Sequence, residues 1–526
     1  MQRVLIAGEW IESVHNGNFQ ATNPATGETL AGIYPISSWT DCDRALDAAH
    51  QSLKQMLHQD GEQRALFLEA FAAQIEKNAA TLCEAAHKET ALPIKPRLAD
   101  IELPRTISQL RQAAQAARDG SYTQAVIDTK LNIRSCFAAI GPVVVFGPNN
   151  FPFAFNGISG GDFAAAIAAG CPVIAKAHPL HPTTSRLLAE CAKTAVDQTG
   201  MPAATVQMMY HLNSEDGLRL VGDSRVGATA FTGSRTGGMA LKHAADIAGK
   251  PIYLEMSSLN PIVFLPGALD ERCKTLIIET ADSGLAGVGQ FCTSPNLLFV
   301  TEGPSTERFI QGIVDAYRSR ASAPLLSFSG RDALHHSAQS LIEAGASVLI
   351  GGQLQEQSSG ACYCNTVLYV SGKQFIENGK KLQEEAFGNL TTVVRCANDT
   401  ELLQALASLE GNLTASIYSH SNGSDDALYE SASDILRSRC GRLLNDKMPT
   451  GVALSPAMNH GGPYPSTGHP GFTSVGIPRS MQRFCTLQCY DNVRAERLPG
   501  VLRDLPPHDR IWRYIDGSYV LGNEKN

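Results

Sequence analysis

The chain has no apolar run approaching the ~20 residues needed to cross a bilayer, so no membrane span is expected. It has no basic excess either. Its 51 acidic residues outnumber 43 basic ones, for a formal net charge of -8. Nucleic acids and anionic membrane surfaces require a basic face, so both are excluded as expected partners. No signal peptide is expected: Met1 to Trp10 turns polar too soon to form the apolar core of one. Zinc-ligand spacing is also missing. Cys362/Cys364 and Cys485/Cys489 have no second His/Cys pair at the right distance, and no metal is expected. Thirteen scattered cysteines, an odd number, read as reduced thiols in a cytoplasmic protein. There is no internal repeat and no low-complexity block.

What remains is a globular composition, 43% hydrophobic and 18% charged, over 526 residues. That length predicts two or three domains, each with its own core. After a short β-like lead, residues 41–57, 62–88 and 98–118 carry apolar residues at three- and four-residue spacing, predicting helices. Residues 121–137 alternate polar and β-branched positions and read as a hairpin. From Ala138 the pattern becomes strand, turn, helix. Strands are predicted at 140–146, 172–177, 206–210 and 227–231, with helices at 185–198 and 216–221 between them. Such alternation predicts a parallel sheet with helices on its faces, and ligands at the carboxyl ends of its strands. A second α/β run follows to about Asn445, with strands at 297–300, 347–350, 391–396 and 415–418. Residues 460–474, rich in Gly, Pro, Ser and Thr, read as a loop or linker, and 486–493 as a returning strand.

Two stretches carry chemistry. Gly289-Gln290-Phe291-Cys292-Thr293-Ser294-Pro295 offers one cysteine among small and polar residues, after a helix predicted at 280–288. Thirty-seven residues before that cysteine, Glu255 ends the apolar run Ile252-Tyr253-Leu254. A thiol nucleophile and a carboxylate base suit a two-step oxidation through a thioester: the thiol captures a carbonyl, then the carboxylate activates a water. The residues alone leave open that Cys292 is a small core side chain. Phe231-Thr232-Gly233-Ser234-Arg235-Thr236-Gly237-Gly238 follows a strand and opens a helix, a setting that suits phosphate. The run is not G-x-G-x-x-G, and strand-to-helix turns often need glycine without binding anything.

With Gly8-Glu9-Trp10, Asn23 to Glu28, Gly147-Pro148-Asn149-Asn150-Phe151-Pro152, Lys176 and Glu385-Ala386-Phe387-Gly388, these motifs resemble the NAD(P)-dependent aldehyde dehydrogenase superfamily in order and spacing. Lys176-Ala177-His178-Pro179, Glu255-Met256-Ser257-Ser258 and Phe472-Thr473-Ser474-Val475-Gly476 are similar to an NADP-linked subgroup, which includes α-ketoglutaric semialdehyde (2,5-dioxovalerate) and fatty-aldehyde dehydrogenases. The resemblance implies Cys292 as nucleophile, Glu255 as base, and the Asn150 amide as oxyanion donor beside the Cys292 N–H. It implies Lys176 and His178 at the adenosine ribose, Gly233, Ser234 and Gly238 around the pyrophosphate, and Glu385 with Phe387 at the nicotinamide ribose. Each has a plainer reading: Asn150 as a helix cap, Lys176 as a solvated strand-end lysine, Glu385 as a surface carboxylate. His460 is suspected of approaching the site, although a loop histidine is more often surface.

The resemblance further implies three parts: a Rossmann-type dinucleotide-binding domain (1–120 and 138–258), a catalytic α/β domain (259–470), and a small β extension (121–137 and 471–495) that pairs subunits into a homodimer or homotetramer. Two departures bear on the chemistry. Met256-Ser257-Ser258 stands where many relatives carry Gly-Gly. Pro179 stands where NAD-specific relatives carry a glutamate that would repel a 2′-phosphate, which permits NADP without excluding NAD. The expected substrate is a short aldehyde bearing a carboxylate, foremost α-ketoglutaric semialdehyde, with Arg479 and Arg483 as candidate partners for its tail. The alternatives are a medium- or long-chain aldehyde, for which Phe151, Phe153 and Phe155 would line a funnel, a coenzyme A-acylating reaction, which Glu255 argues against, and a non-enzymatic binding protein.

Overall fold

The structure is a computed structural model that describes residues 1–355 and 358–522. Val143–Phe146 is four consecutive apolar residues, all buried. A strand with both faces buried belongs inside a parallel sheet, and it lies inside one. The first seven-stranded sheet runs Ile252–Glu255, Ala228–Thr232, Val143–Phe146, Val173–Lys176, Val206–Met209, Val4–Ile6, Glu9–Ile11. Its first five strands are parallel and the last two antiparallel. Chain order reverses between Val143–Phe146 and Ala228–Thr232, so a crevice opens there at the carboxyl ends of the strands.

The second seven-stranded sheet runs Ser347–Ile350, Thr366–Ser371, Leu390–Cys396, Leu297–Thr301, Ile262–Phe264, Asn412–Tyr418, Cys440–Asn445. All of its pairings are parallel except that of Ser347–Ile350. Thr366–Ser371 and Cys440–Asn445 were not expected from sequence. A five-stranded sheet joins Cys485–Asp491, Ile133–Ala139, Ala125–Asp128, Trp512–Ile515 and Ser518–Leu521. Its last two strands, Trp512–Ile515 and Ser518–Leu521, were likewise not expected from sequence. Among the described residues no helix is long and apolar enough to cross a membrane.

Three predicted elements need correction. The helix expected over 62–88 is two, Gly61–Lys77 and Ala79–Thr90, broken at Asn78. The helix expected from Leu98 starts at Leu103, after a wider turn over Ile94–Glu102. The helix expected at 280–288 is the end of a longer one, Pro266–Leu285. Beyond it Gly287, Val288 and Gly289 all take left-handed backbone. Val288 is β-branched, so that conformation is costly there and must be held by its surroundings.

Candidate active site

Cys292, Glu255 and His460 meet. His460 Nε2 lies 3.3 Å from Cys292 Sγ and 3.0 Å from Glu255 Oε1, and the donor atoms of all three residues lie within 4.8 Å of one another. Glu255 and His460 are each only 1% exposed. Ser474 Oγ donates to Glu255 Oε2 at 2.9 Å. Burial alone would raise the Glu255 pKa. The contact with His460, with hydrogen bonds from Ser474 and Cys292, outweighs it and holds the carboxyl below its ordinary range. The Cys292 thiol goes the other way. Burial lifts it well above its ordinary value, and the neighbouring Glu255 carboxylate adds to the rise. At rest the sulfur is therefore a thiol, and it needs an acceptor for its proton.

Local folding explains this convergence. Glu255 ends the strand Ile252–Glu255, at the carboxyl edge of the first sheet. Residues 460–474, expected to be a linker, fold back against that strand end. Met256 N donates to Ser466 O, Gly468 N donates to Leu254 O, and Thr467 bridges to Glu255. His460 is fixed in turn: its N–H donates to Thr473 Oγ1 (2.9 Å) and its carbonyl accepts from Ser474 N. Asn260, itself left-handed, donates from Nδ2 to the carbonyls of Cys292 and Ser294, both at 2.9 Å. Asn412 Oδ1 accepts from Leu259 N and Asn260 N. A Cβ on Gly289 would stand 2.1 Å from Gly388 O, so the cysteine loop and the Glu385 to Gly388 segment meet backbone against backbone.

Asn150 Nδ2 donates to Gln290 O at 2.9 Å, which orients its amide beside the cysteine loop. Under its loop lies the buried pair Arg97–Glu102. Arg97 donates to Asn150 O (3.0 Å), and Glu102 Oε1 accepts from Phe153 N and Ala154 N. Neither member of that pair was singled out in the sequence.

On the first sheet, Lys176 and Thr232 end the strands on either side of Val143–Phe146. Burial lowers Lys176 to about 8, and among the described residues its Nζ has no hydrogen-bond partner. Burial, then the nearby His181, Lys176 and His211, hold His178 well below the ordinary histidine value, so it is neutral. Its Nδ1 accepts from Leu180 N (3.2 Å), which leaves Nε2 as the protonated donor. Ser234 caps the helix Arg235–Ile247, its hydroxyl accepting from Gly237 N. A Cβ on Gly233 would stand 2.8 Å from the Phe231 ring, and one on Gly238 3.0 Å from Met256 Sδ, so both glycines keep this turn tight. Glu385 is half-buried, accepts from Ser258 N (3.3 Å), and is lifted by burial to about 7. Phe387 is half-buried two residues on.

Arg479 and Arg483 do not fit the substrate role expected of them. Arg483 forms a buried ion pair with Asp162 (2.7 Å) between the rings of Phe472 and Phe484. Arg479 is exposed on the short turn Arg479–Phe484. The functional side chains that sequence reasoning missed are Ser474, Asn260 and Asn412. Ser474 lay inside a quoted motif, Asn260 beside one and Asn412 in neither, and none of the three carries a local signature. Their roles come from contacts between segments more than 30 residues apart.

A thiol, a base and an amide donor at the carboxyl end of a dinucleotide-type sheet define a protein that captures carbonyl carbon and passes on a hydride. The sequence profile described as "Aldehyde dehydrogenase family" matches residues 10–454, and the chain belongs to that family of NAD(P)-dependent oxidoreductases. It is 37% identical over 503 residues to alpha-ketoglutaric semialdehyde dehydrogenase 2 of Azospirillum brasilense, covering 93% of this chain and 94% of that one. It is 35% identical to alpha-ketoglutaric semialdehyde dehydrogenase of Acinetobacter baylyi, covering 98% and 97%. Lactaldehyde dehydrogenase of Escherichia coli has the same fold, with a TM-score of 0.80 at 20% identity, covering 93% of this chain and 98% of that one.

Proposed function

We propose that the protein oxidises α-ketoglutaric semialdehyde to α-ketoglutarate, preferring NADP to NAD. The observation that carries the reading is the buried contact of Cys292 with both His460 and Glu255, in a chain more than a third identical to two enzymes named for that substrate. Cys292 Sγ attacks the aldehyde carbon, and its proton passes to the His460–Glu255 pair. Asn150 has a second amide hydrogen beyond the one held by Gln290, and with the Cys292 N–H it stabilises the oxyanion. The nicotinamide cofactor supplies the hydride acceptor. Once the pair has released that proton to solvent, Glu255, again ionised, takes a proton from the water that hydrolyses the Cys292 thioester. An ionised base at the thiol favours water over coenzyme A as acyl acceptor.

The cofactor suits the residues present. Lys176 offers an unpartnered cation and His178 a neutral N–H, and Pro179 supplies no repelling charge. Gly233, Ser234 and Gly238 shape a turn at a helix N-terminus for the pyrophosphate, and Glu385 with Phe387 would hold the nicotinamide ribose. We assign cofactor binding to residues 1–120 and 138–258, catalysis to 259–470, and subunit pairing in a dimer or tetramer to the β extension of 121–137 and 471–495. The thirteen free thiols support a reducing, cytoplasmic setting.

The test is kcat/KM for α-ketoglutaric and succinic semialdehydes against hexanal and decanal, each with NADP and NAD and with coenzyme A present or absent. Preference for the acidic aldehydes with NADP and no coenzyme A requirement is expected. A tenfold advantage for the neutral aldehydes refutes the substrate, and dependence on coenzyme A refutes the hydrolytic route.

A further inference from the structure

The arginines that the sequence offered for an anionic substrate tail are spoken for or exposed, yet the site holds another. Arg105 lies in the first turn of the helix Leu103–Asp119. Its Nη1 donates to Val452 O, and its guanidinium lies 5.7 Å from the centre of the Phe155 ring. Its other edge is different. Nε and Nη2 are both buried, and among the described residues neither has a hydrogen-bond acceptor. Leaving two charged donors buried and unsatisfied is expensive, and native structures rarely do so without a reason. Those two N–H groups form one side of the planar guanidinium fork, the geometry that takes a carboxylate through two parallel hydrogen bonds.

The position is right as well. The Phe155 ring that Arg105 faces is 5.8 Å from the His460 ring, and His460 touches Cys292. Val452, which takes the Nη1 hydrogen bond, follows Gly451, whose N–H donates to Thr293 Oγ1, the residue after the thiol. Arg105 and Cys292 are near enough for their charges to interact. Phe151, Phe155, Val452, Leu454 and Met458 form an apolar cluster around this path. An aldehyde carbon at Cys292 would then place its tail among these apolar side chains, toward the unsatisfied edge of one guanidinium.

We infer that Arg105 is the specificity residue of this site, receiving the carboxylate of a short aldehyde acid through its Nε–H and Nη2–H. The inference rests on the proposed acidic substrate and adds the group that recognises it. Arg442, which also lies near the thiol, has both terminal nitrogens committed to the carbonyls of Pro449 and Gly451, so it holds the 449–451 segment.

The test compares succinic semialdehyde with butanal, its neutral counterpart of equal length, in the wild type, Arg105→Met and Arg105→Lys. The pre-steady-state burst with butanal counts folded, competent sites. In Arg105→Met the ratio of the two kcat/KM values, acidic over neutral, should fall by roughly 30-fold or more, through KM of the acidic substrate. Arg105→Lys should recover part of it. Inhibition by glutarate, competitive with aldehyde in the wild type, should weaken in parallel. A wild type that favours succinic semialdehyde and an Arg105→Met variant that keeps the same ratio would overturn the role of Arg105 and leave the substrate reading intact. Equal losses for both aldehydes, with methionine and lysine alike, would also overturn it, marking Arg105 as structural. A wild type that favours butanal refutes the acidic substrate itself.

Discussion

A cysteine that must act as a thiolate is here half-buried beside a carboxylate, and both surroundings oppose its ionisation. The arrangement works only if the proton has somewhere to go as sulfur attacks, and that place is His460 Nε2, 3.3 Å from the sulfur and 3.0 Å from Glu255 Oε1. His460→Ala should slow both the hydride burst and the alkylation of Cys292 by iodoacetamide, by roughly 10²-fold at pH 7, and both rates should recover as pH rises, because solvent then ionises the thiol. Rates unchanged at pH 7 would remove His460 from the mechanism. Glu255→Gln separates the two steps. A burst of reduced cofactor near one per active site followed by slow turnover is expected, and loss of the burst would mean that Glu255 is needed earlier. Cys292→Ala should leave turnover below about a thousandth of wild type with cofactor binding retained. At this scale the sequence was legible where a residue type carries its own chemistry: a lone cysteine in a small polar run, a carboxylate ending an apolar strand. His460 was only suspected, and Ser474 and Asn260 were invisible as functional groups. Serine and asparagine acquire a role from what the fold sets against them.

Strand ends shape the crevice proposed for the cofactor. Val173–Lys176 and Ala228–Thr232 flank Val143–Phe146, where strand order reverses, and both deliver their next residues to one crevice. That much was legible, because a buried parallel strand is a short apolar run with a turn after it. The loop of residues 460–474 was not, since its composition reads as a linker, while its backbone hydrogen bonds to Leu254 and Met256 exist only in the folded chain. Lys176 gives the strand end a measurable signature. Burial sets its pKa near 8, so its charge is fully present below that value and fades above it. KM for NADP should therefore rise as pH climbs past about 8, while KM for NAD, which has no 2′-phosphate, changes less. A bound phosphate favours the charged form, so the rise is displaced upward in the complex. Pro179→Glu should reverse the cofactor preference through like-charge repulsion, read as kcat/KM with each nucleotide. Equal pH dependence for the two nucleotides would remove Lys176 from the 2′-phosphate.

The whole molecule ends in an edge. Among the described residues Cys485–Asp491 is the outermost strand of the five-stranded sheet, paired on one side only, to Ile133–Ala139. Leu487, in the middle of it, is 61% exposed. An open strand with an exposed leucine is a template for pairing with another chain, and natural proteins usually blunt such edges or cover them. The other end of the sheet, Trp512–Ile515 and Ser518–Leu521, adds exposed Trp512 and Tyr519. The resemblance assigned subunit pairing to this extension, and the unpaired strand is where such pairing would occur. Light scattering of the wild type should therefore give a dimer or a tetramer. Leu487→Lys should shift the mass toward the monomer. The side chain is solvent-facing in the single subunit, so the variant should fold, and the burst amplitude per chain checks that it does. If assembly is independent of this strand, the mass of Leu487→Lys will match the wild type at every concentration, and pairing must then be sought on another face.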